Sequence, residues 1–434
     1  MASYLNYKIQ EFVIESLEKK SVSIDASGAV ASIKYFEDLF SPAIFISVLI
    51  VNSDGLLSGI PIRGGERVRL KIYQPATDEY IFIDETKNPY YIYKVSSTSQ
   101  STREALLLEL APSEIFTNET SRVFKRYPET EGSIERISDS VGKILKDVLK
   151  TTKKNDIESS MNSYSFFGNS KKPFTVLTWL CPKAIPTNGS SSATSGTAGF
   201  LFYENKNGYN FKSVDGLITG LKYSSGDKKN YVTYFYTESN DTPASSSENF
   251  KILGVPAFDK NVNVMENLRV GMYSSVNYFY DINTRVPSVY NYKLSESYNI
   301  MNHASSSNNT PKIPQGLENY PSRLMVKITD SLVKNSIDGD PNKTPDNRIK
   351  YQSQSVARYN LAFSQTLNIT VPLNLKLTVG DVIELNIGKI TKGTKEKDIE
   401  KSGLYLIKEL AHSFDDNYGY TGLRLVRDSY GRPQ

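Results

Sequence analysis

Apolar and polar positions alternate in two blocks that lie far apart in the chain. The first starts at Gly65 as GERVRLKI (to Ile72), continues as YYIYKV (Tyr90 to Val95) and closes as ALLLEL (Ala105 to Leu110). The second starts at Gly380 as GDVIELNI (to Ile387), continues as LYLIKEL (Leu404 to Leu410) and closes as TGLRLV (Thr421 to Val426). A period of two puts every second side chain on one face, so each block predicts three strands with one face on a core. From Gly65 to Leu108 is 43 positions, and so is Gly380 to Leu423 (108 − 65; 423 − 380). Gly65 to Tyr91 is 26 and Gly380 to Tyr405 is 25. Asn88-Pro89 in the first block and Asn417 and Gly419 in the second supply turns. We read one small β-barrel or sandwich module used twice, 315 residues apart (380 − 65). Such a duplication lets a ring of n chains present 2n similar units, which suits a junction between assemblies of different symmetry.

The rest of the pattern fills in around these blocks. Glu11 to Val30 predicts one or two strands and Ala31 to Lys34 another. The run Ala43 to Val51 (AIFISVLIV) reads as a strand buried on both faces, with Asn52, Ser53, Asp54 and Gly55 as its turn. The first module ends at Ala111-Pro112, where proline stops the ladder. The period then changes: Ile134, Ile137, Val141, Ile144, Leu145, Val148 and Leu149 predict an amphipathic helix capped by Ser133, with Glu135 near its start and Lys146 and Lys150 near its end. A polar loop over 155–172 precedes a short helix, Thr175 to Cys181, ended by Pro182. Gly199 to Gly220 reads as strand, turn at Asn205 to Gly208, strand, and a short helix led by Asp215; Asn207-Gly208 is a strong hairpin signal. Further strands are expected at Tyr231 to Thr237, Gly271 to Tyr280, Arg323 to Thr329 and Leu367 to Leu373, with helices at Val262 to Val270 and Ser353 to Phe363.

Composition narrows the class. With 434 residues, 23% charged and 11% aromatic, the chain is folded and too long for one core, so two to four domains are expected. Its 29 tyrosines suit strands and subunit contacts equally. A net charge of +4 argues against a dedicated nucleic-acid binder. The single Cys181 excludes an internal disulfide. Met1 to Gln10 has no apolar signal core, and the longest apolar run, nine residues, is far short of a membrane span, so no stable membrane insertion is expected.

Candidate chemistry is sparse. The two histidines, His303 in a polar loop and His412 beside a strand, make no close pair, so zinc is not expected. Cys181 as a nucleophile would need a histidine partner, and a buried structural thiol is the expectation. Asp338-Gly-Asp340-Pro-Asn342 opens like a calcium loop, but Lys343 stands where glycine is required and Ile349 where glutamate is, so we read a turn. Phosphate-binding glycine motifs are absent. No catalytic, cofactor-binding or metal-binding set is singled out.

The middle block carries a resemblance. A short helix with Trp179-Leu180, a spacer, then AGFLFYENKNGYNFKSVDGLI (Ala198 to Ile218) resembles the baseplate hub proteins of contractile-tailed bacteriophages. ENLRVGMY (Glu266 to Tyr273) and GLYLIKEL…YTGLRLVRDS (Gly403 to Ser429) are similar to later parts of that family. The resemblance spans most of the chain in scattered motifs, none of which marks an active site. It implies a mainly β chain with some α: two tail-tube-like β-barrel domains plus a helix-containing accessory domain. The divisions are 1–112, then 113–225 with 256–318 as the accessory domain, then 226–255 with 319–434 as a discontinuous second barrel. It also implies a homotrimer whose pseudo-six-fold ring joins a hexameric tail tube to a trimeric central spike. The spike proteins of type VI secretion systems carry the same hub plan. Expected partners are the spike, the tail tube or tube-initiator proteins, the tape measure protein and the baseplate wedge. DNA passes through the channel without specific binding, along a lumen expected to be acidic. The expected place is the virion tail baseplate, assembled in host cytoplasm. The Ser/Asn/Thr-rich insertions at Thr187 to Ala198, Thr237 to Asn249 and His303 to Gly316 depart from the family pattern. The alternatives are a tail-associated glycan-binding adhesin and a cell-wall hydrolase using two carboxylates.

Overall fold

The computed structural model describes residues 6–17, 22–52, 62–84, 87–100, 103–130, 133–187, 197–219, 231–236, 248–260, 263–304, 311–329, 346–389, 397–415 and 418–429. The turn expected beyond Asn52, the turn at Asp338 to Asn342, and most of the three insertions lie outside those residues.

Both alternating blocks form strands. The first gives Arg67–Gln74, Tyr90–Gln100 and Arg103–Pro112; the second gives Val382–Ile387, Gly403–Asp415 and Tyr418–Arg427. Each block borrows a fourth strand, Phe45–Asn52 in the first and Gln365–Pro372 in the second, and a fifth, Val30–Asp38 and Leu253–Lys260. The two sets pair in the same order. In the first, 30–38 lies against 45–52, then 103–112, 90–100 and 67–74. In the second, 253–260 lies against 365–372, then 418–427, 403–415 and 382–387.

The correspondence reaches single atoms at an offset of 315. Gly65 and Gly380 both have left-handed backbone, φ 96° and 92°. Gly65 N–H donates to Ile92 O and Gly380 N–H to Ile407 O; Ile92 N–H donates to Glu66 O and Ile407 N–H to Asp381 O. The acidic side chain after each glycine caps a preceding amide: Arg63 N–H donates to Glu66 Oε1 and Thr378 N–H to Asp381 Oδ2. A β-bulge falls between Ile92 and Lys94 in one copy and between Ile407 and Glu409 in the other. Bulges fix register and bend strands, so a shared one marks shared geometry.

The two modules are not separate barrels. Strand 403–415 pairs along Glu409 to Asp415 with Ser32 to Asp38 of the first copy, giving one mainly antiparallel sheet of fourteen strands among the described residues, in an open order rather than a closed ring. One apolar core runs beneath both copies, from Phe12, Ile33 and Ile46 to Leu385, Ile407 and Leu425. Alternation governs the 45–52 strand as well: Ile46, Val48 and Ile50 are buried, but Phe45 is exposed and Ser47 and Leu49 are half-exposed. The expectation of burial on both faces therefore fails, because this strand lies in a sheet with one covered face.

The accessory region packs on the sheet with its own core of Val141, Leu145, Leu177, Phe202 and Phe211. The expected 134–149 helix starts later, as Ile137–Lys143, and continues in wider turns over Ile144–Val148. Ser133 is not its cap; its hydroxyl donates to Thr130 O, while Glu135 takes Ser140 and Lys143. A helix at Ser113–Thr120 was not legible from apolar spacing, since its buried residues are Glu114 and Asn118. The Pro173–Leu180 helix runs into a tight turn at Cys181–Lys183 that contains Pro182. The hairpin forms as read, Phe200–Asn205 and Gly208–Ser213, followed by the helix Val214–Thr219. The loop expected over 155–172 contains the short strands Asn155–Ile157 and Phe166–Phe167. Strand Arg323–Thr329 forms as predicted but pairs with Ser274–Asp281, whose other neighbour is Pro287–Lys293, outside the large sheet.

Candidate assembly surfaces

The joint between the two copies is the best-built feature of the molecule. Its buried face aligns His412, Tyr35, Ile46, Leu110 and Ile92 across five strands. Its solvent face aligns Ser413, Lys34, Ser47, Glu109 and Lys94. Hydrogen bonding and packing thus cross from one copy to the other as though they were one module.

Side chains clamp this joint from below. Glu37 is 1% exposed. Tyr35 Oη and Lys206 N–H donate to its Oε1, both at 2.7 Å, and Val379 N–H donates to its Oε2 at 2.9 Å. One carboxylate therefore ties the first copy, the second copy and the accessory hairpin together. Burial raises it to about 7, against the lowering effect of those three donors. Gln74 links the first copy to the second without charge: its Nε2 donates to Leu373 O and its Oε1 accepts from Leu375 N–H. His412 is fully buried, with Nδ1 2.9 Å from Thr421 Oγ1; burial pushes it down to about 3.

Two buried ionic groups anchor the accessory region. Lys153 Nζ lies 2.6 Å from Glu204 Oε1 and 3.1 Å from Glu114 Oε2, over the rings of Tyr90 and Tyr209. Arg358, in the helix Asp346–Ala362, pairs with Asp215 at 2.9 Å and Asp428 at 2.8 Å and donates to Asn302 O. Asp428 also meets His303 Nδ1 at 3.0 Å. Burial works against its charge, but His303 and Arg358 hold its carboxyl far below the ordinary range. In both groups every carboxylate meets a cation, which offsets the cost of burying it.

The solvent face of the sheet pairs its charges too: Lys94 with Glu109, Arg67 with Glu15, and Arg424 with both Glu409 and Asp259. A different surface is open and apolar. On the three-stranded sheet, Val289, Tyr278 and Val326 form one row and Pro287, Tyr280 and Ile328 the next. Val326 and Ile328 are 70% and 74% exposed. A contiguous apolar face of this kind marks a contact surface.

The residues considered for chemistry are dispersed. Cys181 is buried, its thiol pushed up by burial, with Sγ against Leu177 O. His303 and His412 are held in the separate structural settings described above. No group of three metal-ligating side chains occurs among the described residues. A polar cleft of about 350 Å³ lies between the accessory hairpin and the Gly380 turn, lined by Lys154, Asp156, Asn207, Lys212 and Asp381.

No family model matches the sequence. Over 304 residues the chain is 21% identical to the probable baseplate hub protein of Vibrio phage KVP40, a match covering 68% of this chain and 66% of that one. The match thus spans just under two thirds of that relative's own length. A tail protein from Neisseria meningitidis MC58 superimposes with a TM-score of 0.52 at 11% identity, over 98% of both chains. The 43 kDa tail protein of prophage MuSo2 from Shewanella oneidensis gives 0.53 at 11%, over 96% of this chain and 98% of that one. The chain is similar in sequence to a phage baseplate hub protein and has the fold of phage tail proteins. The likeness read from Ala198 to Ile218, Glu266 to Tyr273 and Gly403 to Ser429 therefore agrees with whole-chain comparison. Hairpin residues in the first of these motifs occupy the joint: Glu204 accepts from Ile44 N–H of the sheet, and Lys206 reaches Glu79.

Proposed function

We propose that this protein is a structural, non-enzymatic subunit of a contractile phage tail baseplate hub. Three chains form a ring that presents six copies of the repeated module, matching a six-fold tail tube on one side and a three-fold central spike on the other. The observation that carries this reading is the duplication itself: two five-stranded sets of identical order, with the same glycine turn, acidic cap and bulge, already joined edge to edge. A module that can join its own copy sideways can build a ring, and two per chain doubles the symmetry.

The working domain division keeps 1–112 and 226–255 with 319–434 as the two tube-like modules, and 113–225 with 256–318 as the accessory region. The pairing of 323–329 with 274–281 draws that segment toward the accessory region. Partners are the spike and tail tube or tube-initiator proteins, with the tape measure protein and the baseplate wedge beyond them. The open apolar face around Val326 is a surface for one of these. The place of action is the virion tail baseplate. The channel passes DNA without specific contacts. Its lining is proposed to be acidic, which repels phosphate and lets DNA slide.

Light scattering of the purified chain, followed by negative-stain imaging, tests the reading. A mass near three times 48.7 kDa and a six-lobed ring with a central hole are expected. A compact trimer without a hole overturns it.

A further inference from the structure

The joint inside the chain uses only half of the available edges. In the second copy, strand 403–415 first pairs with 382–387 through Gly403 to Leu406, then turns its free side, Glu409 to Asp415, to the 30–38 strand of the first copy. In the first copy, strand 90–100 begins the same way, pairing with 67–74 through Tyr90 and Tyr91. Its next stretch starts at Lys94, the position of Glu409 less 315. On that side it has no partner among the described residues, and Ser96 to Thr98 are exposed. At the other end of the sheet, strand 253–260 holds the place in the second copy that 30–38 holds in the first. Among the described residues it pairs only with 365–372, and Val255 is 79% exposed. One copy thus offers the donor edge of the joint and the other the acceptor edge, both open, and unpaired edges are templates for strand addition.

We propose that the 94–98 edge of one chain pairs antiparallel with the 253–259 edge of a second copy of this chain, repeating between molecules the junction that 409–415 and 32–38 make within one. The register follows from that template. Tyr35 faces Ile46, which faces Leu110; Phe258 faces Leu367, which faces Leu425, the counterpart of Leu110. Phe258 therefore takes the place of Tyr35, and Ala257 that of Lys34. Since His412 faces Tyr35 and Ser413 faces Lys34, Ser97 meets Phe258 and Thr98 meets Ala257. The register of this strand shifts between Leu253 and Ala257 and between Phe258 and Lys260, so the template carries over at Ala257 and Phe258; Pro256, within the first shift, brings no N–H, and proline at an edge discourages indiscriminate pairing. The contact is heterologous, each chain giving one edge and receiving the other, so successive chains are related by one rotation and close into a ring when it divides a full turn. The proposal rests on the ring reading and names the edges that close it.

Leu39 N–H donates to Lys408 O, so by alternation the Lys34–Ser413 pair is a close, non-hydrogen-bonded one, suited to a disulfide. The test is the double variant Thr98→Cys with Ala257→Cys, oxidised mildly and run without reductant. The native Cys181 is buried, and the single variants serve as controls. Most of the double variant is expected to become covalent oligomers. Mixing the two single variants is expected to give dimers, and Ser97→Pro to abolish oligomers while the circular dichroism stays native. Oligomers by light scattering with no 98–257 bond overturn the edge assignment and leave the ring reading intact. A chain that stays monomeric at high concentration overturns the claim that the edge takes a second copy. Cross-linked species that image as open filaments support the edges and overturn the ring.

Discussion

Replacing Glu37 by glutamine probes the joint where the two copies meet the accessory hairpin. Burial raises this carboxyl from 4.5 to about 7, so the folded protein holds a proton there that the unfolded chain has lost. With a folded value above the unfolded one, an acid contributes stability that is present at low pH and falls as pH rises from 4.5 to 7. The rise from 4.5 to about 7 corresponds to about 3 kcal/mol, at about 1.4 kcal/mol for each tenfold change in proton affinity. Glutamine does not titrate. Its constant cost, from turning an amide toward one of the three donors, is the same at every pH. The variant is therefore expected to gain about 3 kcal/mol relative to the parent between pH 4.5 and pH 8. Urea titrations followed by far-ultraviolet circular dichroism, at half-unit steps, give the difference curve. His412 tilts both proteins in the opposite sense, since its folded value of about 3 costs stability as pH falls below 6.5. It cancels in the difference. Parallel curves across the range would refute the reasoning, for then Glu37 is charged in both states and the joint is wetter than its burial says.

Other outcomes follow from single contacts. Gly380→Ala is expected to destabilise by more than Gly65→Ala in thermal melts. Both sites have left-handed backbone, which costs about 1 kcal/mol, but only at 380 would the new methyl clash with Tyr203 Oη. Arg358→Met leaves two buried carboxylates short of their partner and should cost about 3–5 kcal/mol in urea titration, part of it recovered by adding Asp428→Asn. Cys181 should resist a thiol reagent until the accessory core opens, so labelling in native buffer at the rate of a free thiol would contradict its burial.

Much of this molecule was legible in the order of its residues. Period-two alternation located the repeat strands, because a strand with one covered face must alternate. Gly65 and Gly380 marked matching turns, because left-handed backbone favours glycine. Asn207-Gly208 placed the accessory hairpin for the same reason. What the sequence determined by itself was local: which segments are extended, where they turn, and that one pattern occurs twice. The tertiary structure decided everything that depends on pairing across distance. Leu253–Lys260 carries weak alternation and Pro256, and only its place beside 365–372 shows it to be the counterpart of Val30–Asp38. Glu37, Lys153 and Arg358 look like ordinary surface charges in the sequence. They become joints because the partners that remove their cost of burial come from elements up to 342 residues away. The fusion of two modules into one sheet is likewise invisible along the chain, since backbone edges carry no sequence mark. Which edges meet is set by geometry once the strands exist.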